Sequence, residues 1–375
     1  MKIVQLCPYA MARPGGVQRH VRDLSNWLTA QGHETRIIAP PSAGASACQI
    51  DNLFEIGRAR SLGLHGTAFE IAAASPFATR ALARELRAWG ADLVHLHTPW
   101  TPFLVGQMHR ALKLPTVTTI HATLPAADKT GLVDRYIRWS AKRFLQKSAA
   151  ILTPSESPLH MLRTLIPGLD AMILPPCVDL STFADAPGNR PKDEINLLFL
   201  GRLERRKGLD VLLDAWPKIS AVLPHATLTI AGDGELRPRV QGAVQGRLIY
   251  VGRPDDAEVV RLMARAHFFM APAPFGESYG LVLAEAMAAG AVPIAAANDG
   301  YASVLVGDGR ALLVPPDDAD AFAARIIALS QDPDRYTALR SWGRAQAKHS
   351  DVRGVGPRYI DLYRTVLTQS MSSSW

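Results

Sequence analysis

Short, continuous apolar runs alternate along the chain with stretches of helical period. Lys2–Pro8 is followed by a helical pattern from about Val17 to Ala30, then by Thr35–Ala39. Leu93–His97 precedes a helical stretch near Pro102–Leu112, and Val117–His121 and Ala149–Thr153 follow. Runs that are apolar throughout, not alternating, predict strands of a parallel sheet covered on both faces by helices. The rhythm then restarts. Ile195–Leu200, a helix near Leu209–Ile219, Thr227–Ala231, Leu248–Val251, a helix near Ala257–Ala266, Phe268–Ala271, a helix over Leu281–Ala289 and Val292–Ala296 make a second unit. Between the two lie Pro175-Pro176-Cys177-Val178-Asp179 and the polar, Pro- and Gly-bearing stretch Pro187–Asp193, which reads as a linker. The pattern predicts two doubly wound α/β domains facing each other across one cleft. Ligands in such sheets sit beyond the carboxyl ends of the strands.

Composition adds limits. The 375 residues carry 48% hydrophobic and 20% charged residues, enough apolar content to argue against disorder. Cys7, Cys48 and Cys177 are odd in number and far apart, which excludes a disulfide framework and a CxxC metal site and fits a reducing compartment. No apolar run approaches the roughly 20 residues that span a bilayer. The start, Met1-Lys2-Ile3-Val4-Gln5-Leu6, is too short for a signal peptide and reads as a first strand. The expectation is a soluble cytosolic protein. Its net charge of +7 leaves nucleic acid, a membrane surface or a phosphate-bearing substrate as partners.

Three segments carry candidate chemistry. Pro14-Gly15-Gly16-Val17 joins the first strand to the first helix. Its glycines let backbone approach a ligand, and the helix N-terminus behind them favours an anion, although they also suit a plain βα turn. It is not GxGxxG, so the dinucleotide fingerprint is missing. Next, Arg202, Arg205, Arg206 and Lys207 follow the first strand of the second domain, where fixed cations would meet a diphosphate. A solvated basic turn would have the same composition. Third, Phe275-Gly276-Glu277-Ser278-Tyr279-Gly280-Leu281 runs into a helix that carries Glu285. There a phosphate would rest on the amides after Gly280 while the two carboxylates, eight positions apart, take sugar hydroxyls. Their plainer roles are an N-terminal charge for Glu277 and a solvated helix face for Glu285.

His121 ends a strand among threonines, which points it toward a cleft. His95 and His97 have metal-pair spacing on one strand but no third ligand in sequence, so no metal site is expected. No Asp-x-Asp stands at a strand end to hold a divalent cation. Asp317-Asp318 reads as a helix start. GxxxxGK[ST] and GxSxG are absent.

Taken together, Gly15-Gly16, Gly201-Arg202 with Lys207-Gly208, and Glu277-x7-Glu285 resemble the family 4 retaining glycosyltransferases of GT-B fold. The resemblance covers nearly the whole chain and is closest to the phosphatidylinositol mannosyltransferases. It implies residues 1–176 as an acceptor-binding domain, 177–350 as a nucleotide-sugar-binding domain, and 351–375 as a helix crossing back to the first. It also implies that Arg202 and Lys207 hold the donor diphosphate, Glu285 takes the ribose hydroxyls, and Glu277 and His121 flank the transferred sugar. Gly16 would approach the donor phosphate, with Arg253, Ser278, Tyr279, Gly280 and Leu281 completing the donor set. Tyr9 and Gln18 match acceptor positions. The implied reaction is metal-independent transfer from a nucleotide sugar, GDP-mannose by this resemblance, with no resident cofactor and no protein nucleophile. Two departures stand out: Ala122-Thr123-Leu124 after His121, where the lipid enzymes carry hydroxyls, and Pro176-Cys177-Val178-Asp179 at the hinge.

The remaining charge has a second use. Arg80, Arg84 and Arg87 fall at i, i+4, i+7 on one helical face, with Leu82, Leu86 and Trp89 on another. A basic face beside an apolar one suits an anionic membrane, although a solvated Rossmann helix has the same pattern. Arg135, Arg138, Lys142, Arg143 and Lys147 could add to the patch. The expected location is therefore peripheral, at the inner face of the cell membrane, with a lipid-borne or glycan acceptor. A soluble acceptor is the alternative. Nucleic acid is excluded by the lack of aromatic-rich basic strands and recognised motifs.

Overall fold

The apolar runs become strands because Val, Ile and Leu suit a pleated surface buried on both faces. The computed structural model describes residues 1–13, 15–41, 50–64, 67–98, 103–121, 132–188, 190–191 and 193–372. Two compact units emerge: Met1–Val178 together with Val352–Trp375, and Asp179–Asp351.

The first unit is built from β1 (Lys2–Leu6), α1 (Gly16–Ala30), β2 (Glu34–Ala39), β3 (Leu53–Glu55), β4 (Arg58–Leu64), β5 (Thr67–Ala73), α2 (Pro76–Trp89), β6 (Leu93–His97), α3 (Leu104–Leu112), β7 (Thr116–Thr119), α4 (Leu132–Leu145), β8 (Ala150–Thr153), α5 (Glu156–Leu165) and β9 (Met172–Ile173). Its main sheet has seven strands in the order β3-β2-β1-β6-β7-β8-β9, all parallel. The antiparallel hairpin β4-β5, which the hydrophobic pattern did not announce, stands apart from it.

The second unit follows with α6 (Ser181–Ala184), β10 (Ile195–Leu200), α7 (Leu209–Val222), β11 (Ala226–Ala231), α8 (Arg237–Ala243), β12 (Leu248–Gly252), α9 (Asp256–Arg265), β13 (Phe268–Ala271), α10 (Leu281–Ala288), β14 (Val292–Ala296), α11 (Asp299–Ala302), β15 (Leu313–Val314), α12 (Ala319–Ser330) and α13 (Pro333–Ala347). Its six strands run in the order β12-β11-β10-β13-β14-β15, again all parallel. Asp318 caps α12 by accepting from the Ala321 amide.

The last helix, α14 (Val352–Ser372), belongs to the first unit. Its Val355, Tyr359, Tyr363 and Val366 join Ile3, Leu24, Leu28, Leu93, Val117 and Leu152 in one core. The opposite face of the sheet is covered by α2 and α3, through Ala83, Leu86, Leu104, Val105 and Met108.

Each sheet reverses its strand order at one place, between β1 and β6 in the first unit and between β10 and β13 in the second. Connections leaving neighbouring strands diverge there to opposite faces and open a crevice at the carboxyl ends. These two places hold most of the candidate residues.

Candidate functional site

In the second unit, β10 ends in Leu200 and the chain turns through Gly201–Gly208, while β13 ends in Ala271 and leads to Glu277. The two loops meet. Lys207 Nζ donates to Glu277 Oε1 at 2.6 Å, and Arg206 Nη1 adds a longer bond of 3.4 Å to the same oxygen. Arg206 also donates to the Gly276 carbonyl. Glycines make this approach possible. Gly208 has φ +70°, and a Cβ there would lie 2.0 Å from the Pro272 carbonyl oxygen. Gly280 caps α10 at φ +99°, where a Cβ would collide with the Tyr301 ring. The amides that open α10 are therefore presented beside a carboxylate and two cations, an arrangement suited to a phosphate and a sugar hydroxyl together.

The other expected donor residues are placed individually. Arg202 is exposed and paired with Glu204 at 2.7 Å, not with Glu277. Glu285 is buried within α10. Tyr279 turns its ring into the core and its hydroxyl bonds Ser350 Oγ at 2.6 Å, so its backbone is the part available to a ligand. Ser278 and Leu281 are half-buried at the loop's end, and Arg253 is exposed just after β12. In the sequence Arg206 is one of four candidate cations, of which the resemblance favours Arg202 and Lys207. Within a run of four cations, only the tertiary structure picks the two that reach the carboxylate.

In the first unit, Gly16 is the first residue of α1, directly after the β1 loop. Gln18 reaches back from the helix toward the Ala10 carbonyl, and Tyr9 is half-buried in that loop. His121 lies two residues past β7 and meets His97 from the end of β6, with Nε2 of His121 and Nδ1 of His97 2.9 Å apart. His97 Nε2 is bonded to Gln5 Oε1 at 2.7 Å. His95, two residues earlier on the same strand, bonds Tyr363 Oη at 2.8 Å and Thr119 Oγ1 at 2.6 Å. His20, from α1, packs its ring against His97 and His121. Burial holds all four imidazoles below the ordinary histidine range, His20 to about 4. They are neutral at pH 7.

The sequence offered His95 and His97 without a third partner. The fold instead gathers His20, His97 and His121, whose ring nitrogens come within 4.8 Å of one another. Strand alternation turns His95 and His97 to the same side, and the partners arrive from separate elements. The hydrogen bonds that these rings make are those of a neutral polar network. Thr98, directly after His97, holds φ 45°, a left-handed conformation costly for a β-branched residue.

The expected linker around Cys177 is more than a connection. Cys177 and Val178 are fully buried. The Cys177 amide donates to His20 Nδ1 at 2.8 Å, and the Val178 carbonyl accepts from Val352 at the start of α14. Ala122-Thr123-Leu124 lie outside the described residues.

On α2, Arg80, Arg84 and Arg87 are exposed, but Leu82, Leu86 and Trp89 pack into the core under the sheet. The apolar face is consumed by the fold. Phe77, 78% exposed at the start of α2, is the apolar side chain left outward beside these arginines. On α4, Trp139 is 58% exposed with Arg143 over its ring. Among the described residues no helix is long and apolar enough to cross a membrane.

Comparison with known proteins supplies the family. Residues 14–182 match the model of Glycosyltransferase Family 4, and residues 194–332 match that of Glycosyl transferases group 1. A phosphatidyl-myo-inositol mannosyltransferase of Mycolicibacterium smegmatis is 32% identical over 98% of this chain and 94% of its own length. The chain belongs to the family 4 glycosyltransferases. A second phosphatidyl-myo-inositol mannosyltransferase, from Propionibacterium freudenreichii, is 30% identical over all of this chain and 97% of its own. A glycogen synthase of Mycobacterium tuberculosis is 26% identical over 85% of this chain and 83% of its own. Among solved structures, sucrose-phosphate synthase of Thermosynechococcus elongatus superposes with a TM-score of 0.77 at 22% identity, covering 98% and 99% of the two chains. Anabaena HepE in complex with UDP and glucose gives 0.76 at 18%, covering 97% and 100%. The fold of this glycosyltransferase is therefore GT-B, with two Rossmann-like domains.

Proposed function

We propose that this glycosyltransferase moves mannose from GDP-mannose, with retention of anomeric configuration, onto a phosphoinositide-type lipid acceptor at the inner surface of a membrane. The observation that carries the reading is the Lys207–Glu277 pair beside the opening amides of α10, at the strand-order reversal of the second unit. Full-length similarity to enzymes named phosphatidyl-myo-inositol mannosyltransferase supports the donor sugar and the acceptor. On this reading the second unit binds the nucleotide sugar and the first binds the acceptor.

Lys207 and Arg202 neutralise the charge that grows on the departing diphosphate, and Arg206 shares that work. Glu285 accepts from the ribose hydroxyls. Glu277 and His121 flank the sugar. Gly16 and Arg253 complete the donor contacts, with the backbone of Ser278–Leu281, while Tyr9 and Gln18 meet the acceptor head group. The acceptor hydroxyl attacks the anomeric carbon on the face the diphosphate leaves. The carbon–oxygen bond to phosphate breaks, and the hydroxyl proton passes to the leaving phosphate oxygen. No metal and no protein nucleophile take part in this scheme. Fixed cations aimed at developing charge are the main source of rate.

One observation favours a soluble acceptor instead: the apolar face of α2 is packed in the core and is not free to enter a bilayer. A donor panel read by thermal shift tests the nucleotide sugar, because a tightly bound donor stabilises the folded state. GDP-mannose should raise Tm above UDP-glucose. The reverse order would overturn the donor assignment. Transfer onto phosphatidylinositol in vesicles tests the acceptor, and transfer only to free sugars would favour the soluble reading.

A further inference from the structure

The buried polar chain of the first unit links the end of β7 to α14. Its bonds can be ordered donor by donor, because an amide nitrogen only donates and an amide oxygen only accepts. Gln5 directs Nε2 to Tyr363 Oη at 3.5 Å and Oε1 to His97 Nε2 at 2.7 Å. The His97 proton must then sit on Nε2, which leaves His97 Nδ1 as a bare acceptor. The atom facing it at 2.9 Å is His121 Nε2, so that nitrogen carries the His121 proton. At the other end, the Tyr363 hydroxyl accepts from Gln5 and gives its own proton to His95 Nδ1, and His95 Nε2 donates to Thr119 Oγ1. Every described member finds a consistent role. His20 stands beside the chain: its Nδ1 lies 2.8 Å from the Cys177 amide and 3.1 Å from the Cys177 carbonyl, and its buried Nε2 bonds no member of the chain.

We propose that Gln5, oriented by Tyr363 and acting through His97, is a positioning residue that holds His121 as one neutral tautomer, with the proton on Nε2 and Nδ1 bare. An unsupported neutral imidazole exchanges between two tautomers, and only one presents an acceptor toward a ligand hydroxyl. A bond from a fixed carbonyl to the far nitrogen removes that choice, as it does for histidines that bind metals. The inference rests on the placement of His121 beside the transferred sugar. There the bare Nδ1 accepts from a sugar hydroxyl. It gives α14, far away in sequence, a share in the donor's orientation through Tyr363.

The test reads the tautomer directly and the rate separately. Long-range 1H–15N correlation on histidine-labelled full-length protein, with the His121 signal assigned by its loss in His121→Gln, should give an Nε2–H pattern. Gln5→Met keeps the side-chain length but removes the acceptor. It should mix the His121 tautomers and lower kcat about tenfold, the scale of a lost outer hydrogen-bond partner, with KM for the donor within about twofold. Gln5→Glu, which keeps an acceptor oxygen, should restore the pattern and most of the rate. Tyr363→Phe serves as the second variant if Gln5→Met fails to fold, and should mix the tautomers in the same way. An Nδ1–H pattern in the wild type, or an unchanged His121 signal in the folded Gln5→Met or Tyr363→Phe protein, overturns the proposal. Full activity in His121→Gln overturns the role of His121 itself while leaving the tautomer result standing, so the two failures are distinguishable.

Discussion

Lys207 and Glu277 are seventy positions apart in the chain and 2.6 Å apart in the fold, with only Arg206 sharing the carboxylate oxygen among the bonds described. The pair is drawn together by two loops that leave neighbouring strands at the point where strand order reverses. Lys207→Ala and Glu277→Ala should each lower kcat/KM by at least about a hundredfold, the scale for removing one preorganised charge from a transfer site. Thermal unfolding should move by no more than a few degrees, because both side chains keep some contact with solvent and Glu277 retains Arg206 when Lys207 is removed. Turnover within tenfold of wild type in either purified variant would remove the pair from the reaction.

Tyr279 makes a contrasting prediction. Its hydroxyl is bonded to Ser350 in the core and faces away from the loop amides. Tyr279→Phe should cost about 1 kcal/mol of stability, the net value of one buried hydrogen bond. Donor KM should not change. A raised donor KM with unchanged denaturant midpoint would show that the hydroxyl serves the ligand.

The histidine network predicts a pH dependence of stability. His20 titrates near 4 in the folded state and near 6.5 unfolded, and His95, His97 and His121 shift in the same direction. The unfolded chain therefore binds more protons in the window between those values. Stability is full above about pH 6.5 and falls as pH drops through it toward 4. A shift of this size on one buried imidazole amounts to roughly 3 kcal/mol at the acid end. Urea midpoints measured from pH 7.5 to 4.5 should fall, and His20→Phe should flatten the slope. An identical slope in the variant would contradict the assignment.

Arg80, Arg84 and Arg87 are exposed, whereas Leu86 beneath them is fully buried. Changing the three arginines to serine should leave Tm within about 2 °C and weaken sedimentation with anionic vesicles, since each such cation contributes on the order of 1 kcal/mol at that surface. Leu86→Ser should instead destabilise the unit by several kcal/mol through a buried hydroxyl and a cavity. Equal vesicle binding by the triple variant would leave this face without a membrane role.

Gly208 tests the backbone requirement. At φ +70° a Cβ would lie 2.0 Å from the Pro272 carbonyl oxygen. Gly208→Ala must move one loop or the other, separating Lys207 from Glu277. Activity should fall with the Lys207→Ala variant's severity, and the unfolding midpoint should drop as well. A fully active, equally stable Gly208→Ala protein would mean the loop has slack that the fold does not display.

The sequence by itself determined the two α/β units, most of their strands, and the position of the Gly15-Gly16, Gly201–Gly208 and Glu277–Glu285 segments at strand ends. These are local facts: apolar period, glycine at a turn and a helix start each leave a mark within a few residues. It missed the hairpin β4-β5, where Ala, Gly and Arg blur the alternation of a strand pair. It read α2 as two-faced but could not say that Leu82, Leu86 and Trp89 would be spent on the core, since an amphipathic pattern does not name the apolar partner. It could not choose Arg206 and Lys207 over Arg202 and Arg205. It also could not bring His20, His95, His97 and His121 to Gln5 and Tyr363, residues from opposite ends of the chain. Those meetings depend on which strands neighbour each other and where α14 returns, and long-range contacts of that kind are fixed only when the whole core packs.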